Sequence, residues 1–178
     1  LGHSMGGLIS ANFLLEHQDA FVGCVLSGPA IKTDLEPPWI QLLLIRVLAV
    51  LMPRLGVLQL DASGVSRVPE EVERYRQDPL NYTGKMTSSM VAALFAAMNA
   101  IQARAGEITL PLLMLHGGAD SMASPEGSRF LDAHVGSTDK TLKIYPGLYH
   151  EIFNEPERDE VFTEIEQWLN ARLAGSAD

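Results

Sequence analysis

The sequence predicts an α/β architecture, a mostly parallel sheet with flanking helices, interrupted by an inserted helical segment. Three observations predict it. Short apolar runs, Phe21–Leu26 and Pro111–His116, are too brief for helices and end near glycine, the pattern of strands buried on both faces. Helical periodicity adjoins them on either side. A middle stretch from about residue 31 to 107 lacks this alternation and is punctuated by Pro37-Pro38, Pro53, Pro69 and Pro79, so it reads as an insertion between core strands.

In chain order, residues 1 to about 30 form the first part of the core. Met5, Leu8, Ile9, Phe13 and Leu15 recur near helical spacing and are expected to make one buried face. Phe21–Leu26 is the strand after that helix, ending at Ser27-Gly28-Pro29. In the insertion, Trp39–Met52 carries one charge, Arg46, and is apolar nearly all round. Such a helix is expected to lie buried between insertion and core. The alternative is a lid whose outer face rests on lipid and whose inner face lines an acyl tunnel. A second helix near Met86 to Ile101 brings Met90, Leu94, Phe95 and Met98 together, either as plain packing or as a surface adaptable to flexible chains. From about residue 108 to 178 the alternation returns. Pro111–His116 is a strand, Ser124-Pro125-Glu126 caps a helix, and Lys140–Tyr145 is a strand broken at Pro146-Gly147. Asp159–Leu173 places Val161, Phe162, Ile165, Trp168, Leu169 and Leu173 along a final helical stripe. Ala174–Asp178 reads as a frayed tail.

Gly2-His3-Ser4-Met5-Gly6 fits G-x-S-x-G, a sharp strand-to-helix turn that exposes a serine hydroxyl. The crowding of that turn assigns Gly2 and Gly6 to positions without room for a side chain. A serine ahead of an apolar helix is commonly only an N-cap, but an N-cap needs no glycine on both sides. Two residues far along the chain add weight to the pattern. Asp120 closes the turn Gly117-Gly118-Ala119-Asp120 after one strand, and His150 lies in the loop after the next. Serine, acid and histidine in this order, each beyond the carboxyl end of a strand, are the arrangement of the α/β-hydrolase fold. The serine needs a base, and the base needs a carboxylate to fix its tautomer. Asp120 is left without a structural duty, because Ser124-Pro125-Glu126 already caps the helix that follows. Among the other histidines, His17 and His134 sit near helix ends, and His116 is expected to pack or hydrogen-bond locally. His3 is too near Ser4 in sequence to reach its hydroxyl from across the cleft, but it can line the pocket.

Composition narrows the classes. The 178 residues, 47% hydrophobic and 20% charged, suffice for one sizeable core. A formal charge of −9 without a basic cluster excludes a nucleic-acid partner. The single cysteine, Cys24, falls in a buried strand and is expected to act as a small hydrophobe. Nothing requires an oxidising compartment, and a cytoplasmic or membrane-peripheral setting is favoured. No Cys/His cluster has metal-ligand spacing and no apolar run reaches membrane-spanning length, so no metal or cofactor is expected. The chain opens on Leu1 and directly on the serine turn. It therefore reads as the carboxyl-terminal portion of a longer protein, and the absence of a leader or anchor from this range carries no weight.

The chain resembles the monoglyceride lipases among the serine α/β-hydrolases, nearly end to end. The resemblance rests on Gly2–Gly7, on Tyr75-Arg76-Gln77-Asp78-Pro79-Leu80, on Gly117–Asp120, and on Asp139–Tyr145 leading to Tyr149-His150. It implies Ser4 as nucleophile, Asp120 as acid, His150 as base and the Met5 backbone N–H as one oxyanion donor. It also implies His3 and Tyr75 near a glycerol headgroup, no cofactor, and a second oxyanion donor on a His-Gly loop upstream of Leu1. A cysteine frequent after the acid in the animal enzymes is replaced here by Ala123. The implied reaction is cleavage of a lipid ester, monoacylglycerol to glycerol and fatty acid, with peripheral membrane contact through the cap. Same-fold alternatives are a lysophospholipase or a general carboxylesterase, and an alternative of another class is a non-catalytic lipid-binding or interaction protein. Oligomeric state is not written in these residues.

Overall fold

The computed structural model describes residues 1–34 and 38–173. Of the sequence expectations, the break at Pro37 and the frayed tail at Ala174–Asp178 lie outside these residues. A four-stranded parallel sheet forms the centre, from β1 (Gly2–His3), β2 (Cys24–Ser27), β5 (Leu112–Gly117) and β6 (Lys140–Tyr145), in the order β1-β2-β5-β6. Helices α1 (Met5–His17), α5 (Pro125–His134) and α6 (Arg158–Leu173) flank it. Between β2 and β5 the chain forms α2 (Trp39–Leu51), a hairpin of β3 (Gly56–Leu58) and β4 (Met86–Thr87) enclosing α3 (Pro69–Gln77), and α4 (Ser88–Arg104).

All six residues of β5 are buried, which accounts for its unbroken apolar run. Its side chains alternate between two cores. Leu112 and Met114 join Leu8, Ala11, Leu26, Ile101 and Leu131 on the face covered by α1, α4 and α5. Leu113 and Leu115 join Val25, Tyr145, Ile152, Val161 and Trp168 on the face covered by α6. The strand β2 is shorter than its apolar run suggests. Its register with β5 begins at Cys24 opposite Leu112, so Phe21 and Val22 have no strand to pair with and stay exposed. Cys24 is buried and free, and burial pushes its thiol up.

The structure corrects expectations for α1, the serine turn, α2 and α6. The buried face of α1 is Gly7, Leu8, Ala11, Leu14 and Leu15, whereas Met5, Ile9 and Phe13 are exposed. Small residues cause the difference, because a Cβ at Gly7 would stand 2.8 Å from Pro29 Cβ. The helix therefore approaches the sheet along its Gly/Ala side, which a count of large apolar residues overlooks. Crowding at the serine turn falls on Gly2, where a Cβ would lie 2.5 Å from Ser10 Oγ, and on Gly7; at Gly6 the space is open. Finally, α2 is not a buried helix. None of its residues is buried, with Trp39 75% and Val50 80% exposed. Leu42, Ile45, Leu48 and Ala49 are the half-buried positions, and α2 lies against α4. On α6 the stripe is likewise only part core: Val161 and Trp168 are buried, while Phe162, Leu169 and Leu173 are exposed.

Candidate active site

Ser4 connects β1 to α1 at φ 53° and ψ −121°, the one non-glycine residue at positive φ among those described. L-residues avoid this region, and strain of this kind collects at functional sites. Ser4 occupies the N-cap position of α1 but makes no capping hydrogen bond with its side chain. Its hydroxyl points away instead, 2.7 Å from His150 Nε2. The backbone is pinned from the neighbouring strand, where Ser4 N–H donates to Ser27 O at 3.0 Å.

His150 lies beyond β6 in a buried loop, and its Nδ1 is 2.6 Å from Asp120 Oδ2. An ionised carboxylate only accepts, so Nδ1 carries the proton and Nε2 is left to accept from the Ser4 hydroxyl. Asp120 sits after β5, nearly inaccessible to solvent. Burial works to raise its carboxyl, but hydrogen bonds from His116 and His150 outweigh that and hold it well below the ordinary carboxylate range. The sequence expectation that Asp120 has no structural duty is corrected. Its Oδ1 accepts from the backbone N–H groups of Met122 at 2.8 Å and Ala123 at 2.9 Å, closing the turn before α5. Ser124 stands at the N-cap position of α5 without a side-chain capping bond.

The three groups thus converge from three connections of one sheet. They form a line from carboxylate to imidazole to hydroxyl, suited to moving a proton off the serine. Beside them, Met5 begins α1, where backbone N–H groups have no intrahelical acceptor and can face a developing negative charge.

The serine opens on a cavity of about 400 Å³, whose wall includes His3, Tyr75 and Glu151 near the triad. Its apolar part comes from α4, through Met90, Leu94, Phe95 and Met98, and from the β3–β4 hairpin, through Leu58 and Met86. No residue of α2 lines it, so the cavity-facing inner side expected of α2 is not there, and the helix that faces the cavity is α4. His3 Nδ1 lies 3.1 Å from Ser27 Oγ, its ring centroid is 4.8 Å from that of His150, and its Nε2 stands 3.4 Å from Glu151 Oε1. That last distance is an electrostatic contact rather than an aligned hydrogen bond. Burial raises the Glu151 carboxyl, and His3 together with His150 more than offsets it, so the group is held below its usual range. The Tyr75 phenol is raised, first by burial and then by the Glu151 charge.

Sequence reasoning did not find Glu151 or the hairpin wall. Glu151 comes directly after the histidine, but a carboxylate in a loop carries no signal of the direction it faces. The hairpin is formed by segments almost thirty residues apart, which local pattern cannot pair. Among the described residues no group of histidine, cysteine and carboxylate side chains could hold a metal ion, and no helix is long and apolar enough to cross a membrane.

Comparison with known proteins gives concordant results. The profile of the Hydrolase_4 family, described as serine aminopeptidase, S33, matches residues 1–157. The monoacylglycerol lipase of Mycolicibacterium smegmatis is 39% identical over 97% of this chain and 62% of its own length. Human monoglyceride lipase is 35% identical over 98% of this chain and 58% of its own. The crystal structure of Paleococcus ferrophilus monoacylglycerol lipase superposes with a TM-score of 0.88 at 34% identity, over 96% of this chain and 67% of that one. The chain spans about three fifths of the length of the curated relatives it matches.

Proposed function

Since the chain belongs to the Hydrolase_4 family of α/β-hydrolases, with the monoglyceride lipases, we propose that the whole protein cleaves monoacylglycerol to glycerol and fatty acid. Ser4, His150 and Asp120 act as nucleophile, base and acid. The observation that carries the reading is the line Asp120–His150–Ser4, at 2.6 and 2.7 Å, ending at a largely apolar cavity. His150 Nε2 takes the Ser4 proton as Oγ attacks the ester carbonyl, and the oxyanion collects at the Met5 N–H. Collapse expels the glycerol alkoxide, which receives the proton back from His150, and leaves the acyl group on Ser4. Water activated by the same imidazole then releases the fatty acid.

The acyl chain lies along Met90, Leu94, Phe95 and Met98, whose unbranched thioethers and ring adapt to a flexible chain. His3, Tyr75 and Glu151 face the polar end. The outward side of α2 rests on the lipid surface. Trp39, Ile40, Leu43, Leu44, Val47, Val50 and Leu51 are all exposed and fall within an arc of roughly 140° at ~100° per residue. The test is to treat the complete protein with a fluorophosphonate, locate the adduct, and compare turnover of 1-oleoylglycerol, lysophosphatidylcholine and p-nitrophenyl esters. Labelling at Ser4 with preference for the glycerol ester supports the proposal. Preference for the lysophospholipid makes the protein a phospholipase of the same fold, and a protein that never labels is a binding module.

A further inference from the structure

His116, at the end of β5, has no exposed surface, and each of its ring nitrogens is engaged. We propose that His116 is a positioning residue of the triad, holding the Asp120 carboxylate in the orientation that His150 requires. The inference rests on the catalytic reading of Ser4, His150 and Asp120.

The partners fix the tautomer. His116 Nε2 lies 3.1 Å from Asp120 Oδ2 and 3.1 Å from the carbonyl oxygen of Ala123, and both of these only accept. Nε2 therefore carries a proton shared between them. Nδ1, 2.7 Å from Ser128 Oγ, is left to accept from that hydroxyl on α5. Hydrogen bonds thus run without a break from α5 through Ser128, His116, Asp120 and His150 to Ser4.

The arrangement answers a mechanical need. Two backbone N–H groups hold Oδ1 of Asp120. Oδ2 must meet His150, whose charge changes during each turnover. With His150 as its sole partner, Oδ2 would be free to follow that ring. His116 supplies a donor that takes no part in proton transfer and that α5 anchors from behind. It also shares the charge on Oδ2, and so limits how strongly Asp120 retains a proton on His150. The other titratable groups facing His150 are His3 on β1 and Glu151 in its own loop, whereas the hydrogen bonds of His116 go to Ser128, Asp120 and Ala123.

Two substitutions separate positioning from packing. A glutamine amide reaches the place of the imidazole Nε2, whereas an asparagine amide reaches only that of Nδ1. His116→Gln keeps a donor for Asp120. His116→Asn keeps the Ser128 contact and loses the bond to the carboxylate. The readout, in the complete protein, is the pH dependence of fluorophosphonate labelling of Ser4 and of kcat/KM for a soluble ester.

His116→Gln should retain the wild-type profile. His116→Asn should react roughly 10- to 100-fold more slowly, the loss expected for one hydrogen bond to a charged group. Its acid limb should move up by about 0.5–1 pH unit, because Asp120 with one donor fewer favours the imidazolium. Nitrogen-15 imidazole shifts of the wild-type protein, which need no variant to fold, should show His116 protonated on Nε2. Matching profiles for the two variants, a wild-type profile for His116→Asn, or protonation on Nδ1 alone would overturn the inference. Absence of labelling in the wild-type protein would remove the triad reading itself, a result distinct from these three.

Discussion

Replacing Leu43 and Val47 together by glutamate tests whether the exposed side of α2 meets lipid. The two side chains are 46% and 44% exposed, near the middle of the apolar arc. Full burial of such a side chain contributes about 1.5–3 kcal/mol, so placing the exposed half in an acyl layer contributes about 1 kcal/mol each. Losing both costs about 2 kcal/mol, roughly a 30-fold weaker partition onto vesicles. The two carboxylates add a desolvation cost in the same direction. Folding stability should fall by about 1–2 kcal/mol, since the covered half of each side chain also loses apolar contact, and thermal unfolding checks that the variant remains folded. Co-sedimentation with phosphatidylcholine vesicles measures the partition. Turnover of 1-oleoylglycerol in those vesicles should fall with it, while hydrolysis of a soluble p-nitrophenyl ester stays unchanged, because α2 does not line the cavity. Equal losses on both substrates, or unaltered vesicle binding, would refute the reasoning.

Ser4→Ala in the complete protein should abolish ester hydrolysis while thermal unfolding stays close to wild type, since alanine meets the same φ of 53° and no packing uses the hydroxyl. Retained turnover of about a tenth of normal would remove Ser4 from its role. Asp120→Asn should lower kcat about 10⁴-fold by presenting the wrong partner to His150 Nδ1–H. It should also change the acid unfolding curve. The folded carboxyl is depressed, so its contribution to stability is present above the unfolded value of about 3.9 and is lost as pH falls from there. Urea denaturation at descending pH should therefore find the wild type losing stability below about pH 4 more steeply than the variant. Arg67→Ala should destabilise by about 2 kcal/mol by urea denaturation. It strips the Nε donor, 2.8 Å away, from the buried Glu155 carboxylate. That is less than the roughly 3–5 kcal/mol typical of a broken buried pair, because Arg67 is partly exposed and the backbone N–H groups of Arg67 and Tyr149 still reach Glu155.

The serine, acid and histidine were legible because each is announced by local chemistry: an apolar strand, a glycine turn, and a polar residue just past it. Order along the chain then did the work of geometry. The exposed side of α2 and the buried side of α1 were not legible, since an apolar helix gives no sign of how much of it the fold will cover. Gly117 shows where the boundary lies. The sequence marks it as part of a turn, which any flexible residue could serve. In the structure a Cβ there would stand 2.1 Å from the Tyr149 carbonyl oxygen and 2.5 Å from that of Leu148. Gly118 N–H and Ala119 N–H donate to Tyr145 O and Leu148 O at 2.8 and 2.9 Å, sewing the acid turn to the histidine loop. The absent side chain at Gly117 lets the two loops close, and that closure sets the 2.6 Å bond between Asp120 and His150. A turn glycine read locally as freedom is, in three dimensions, a requirement for contact with a loop thirty residues later.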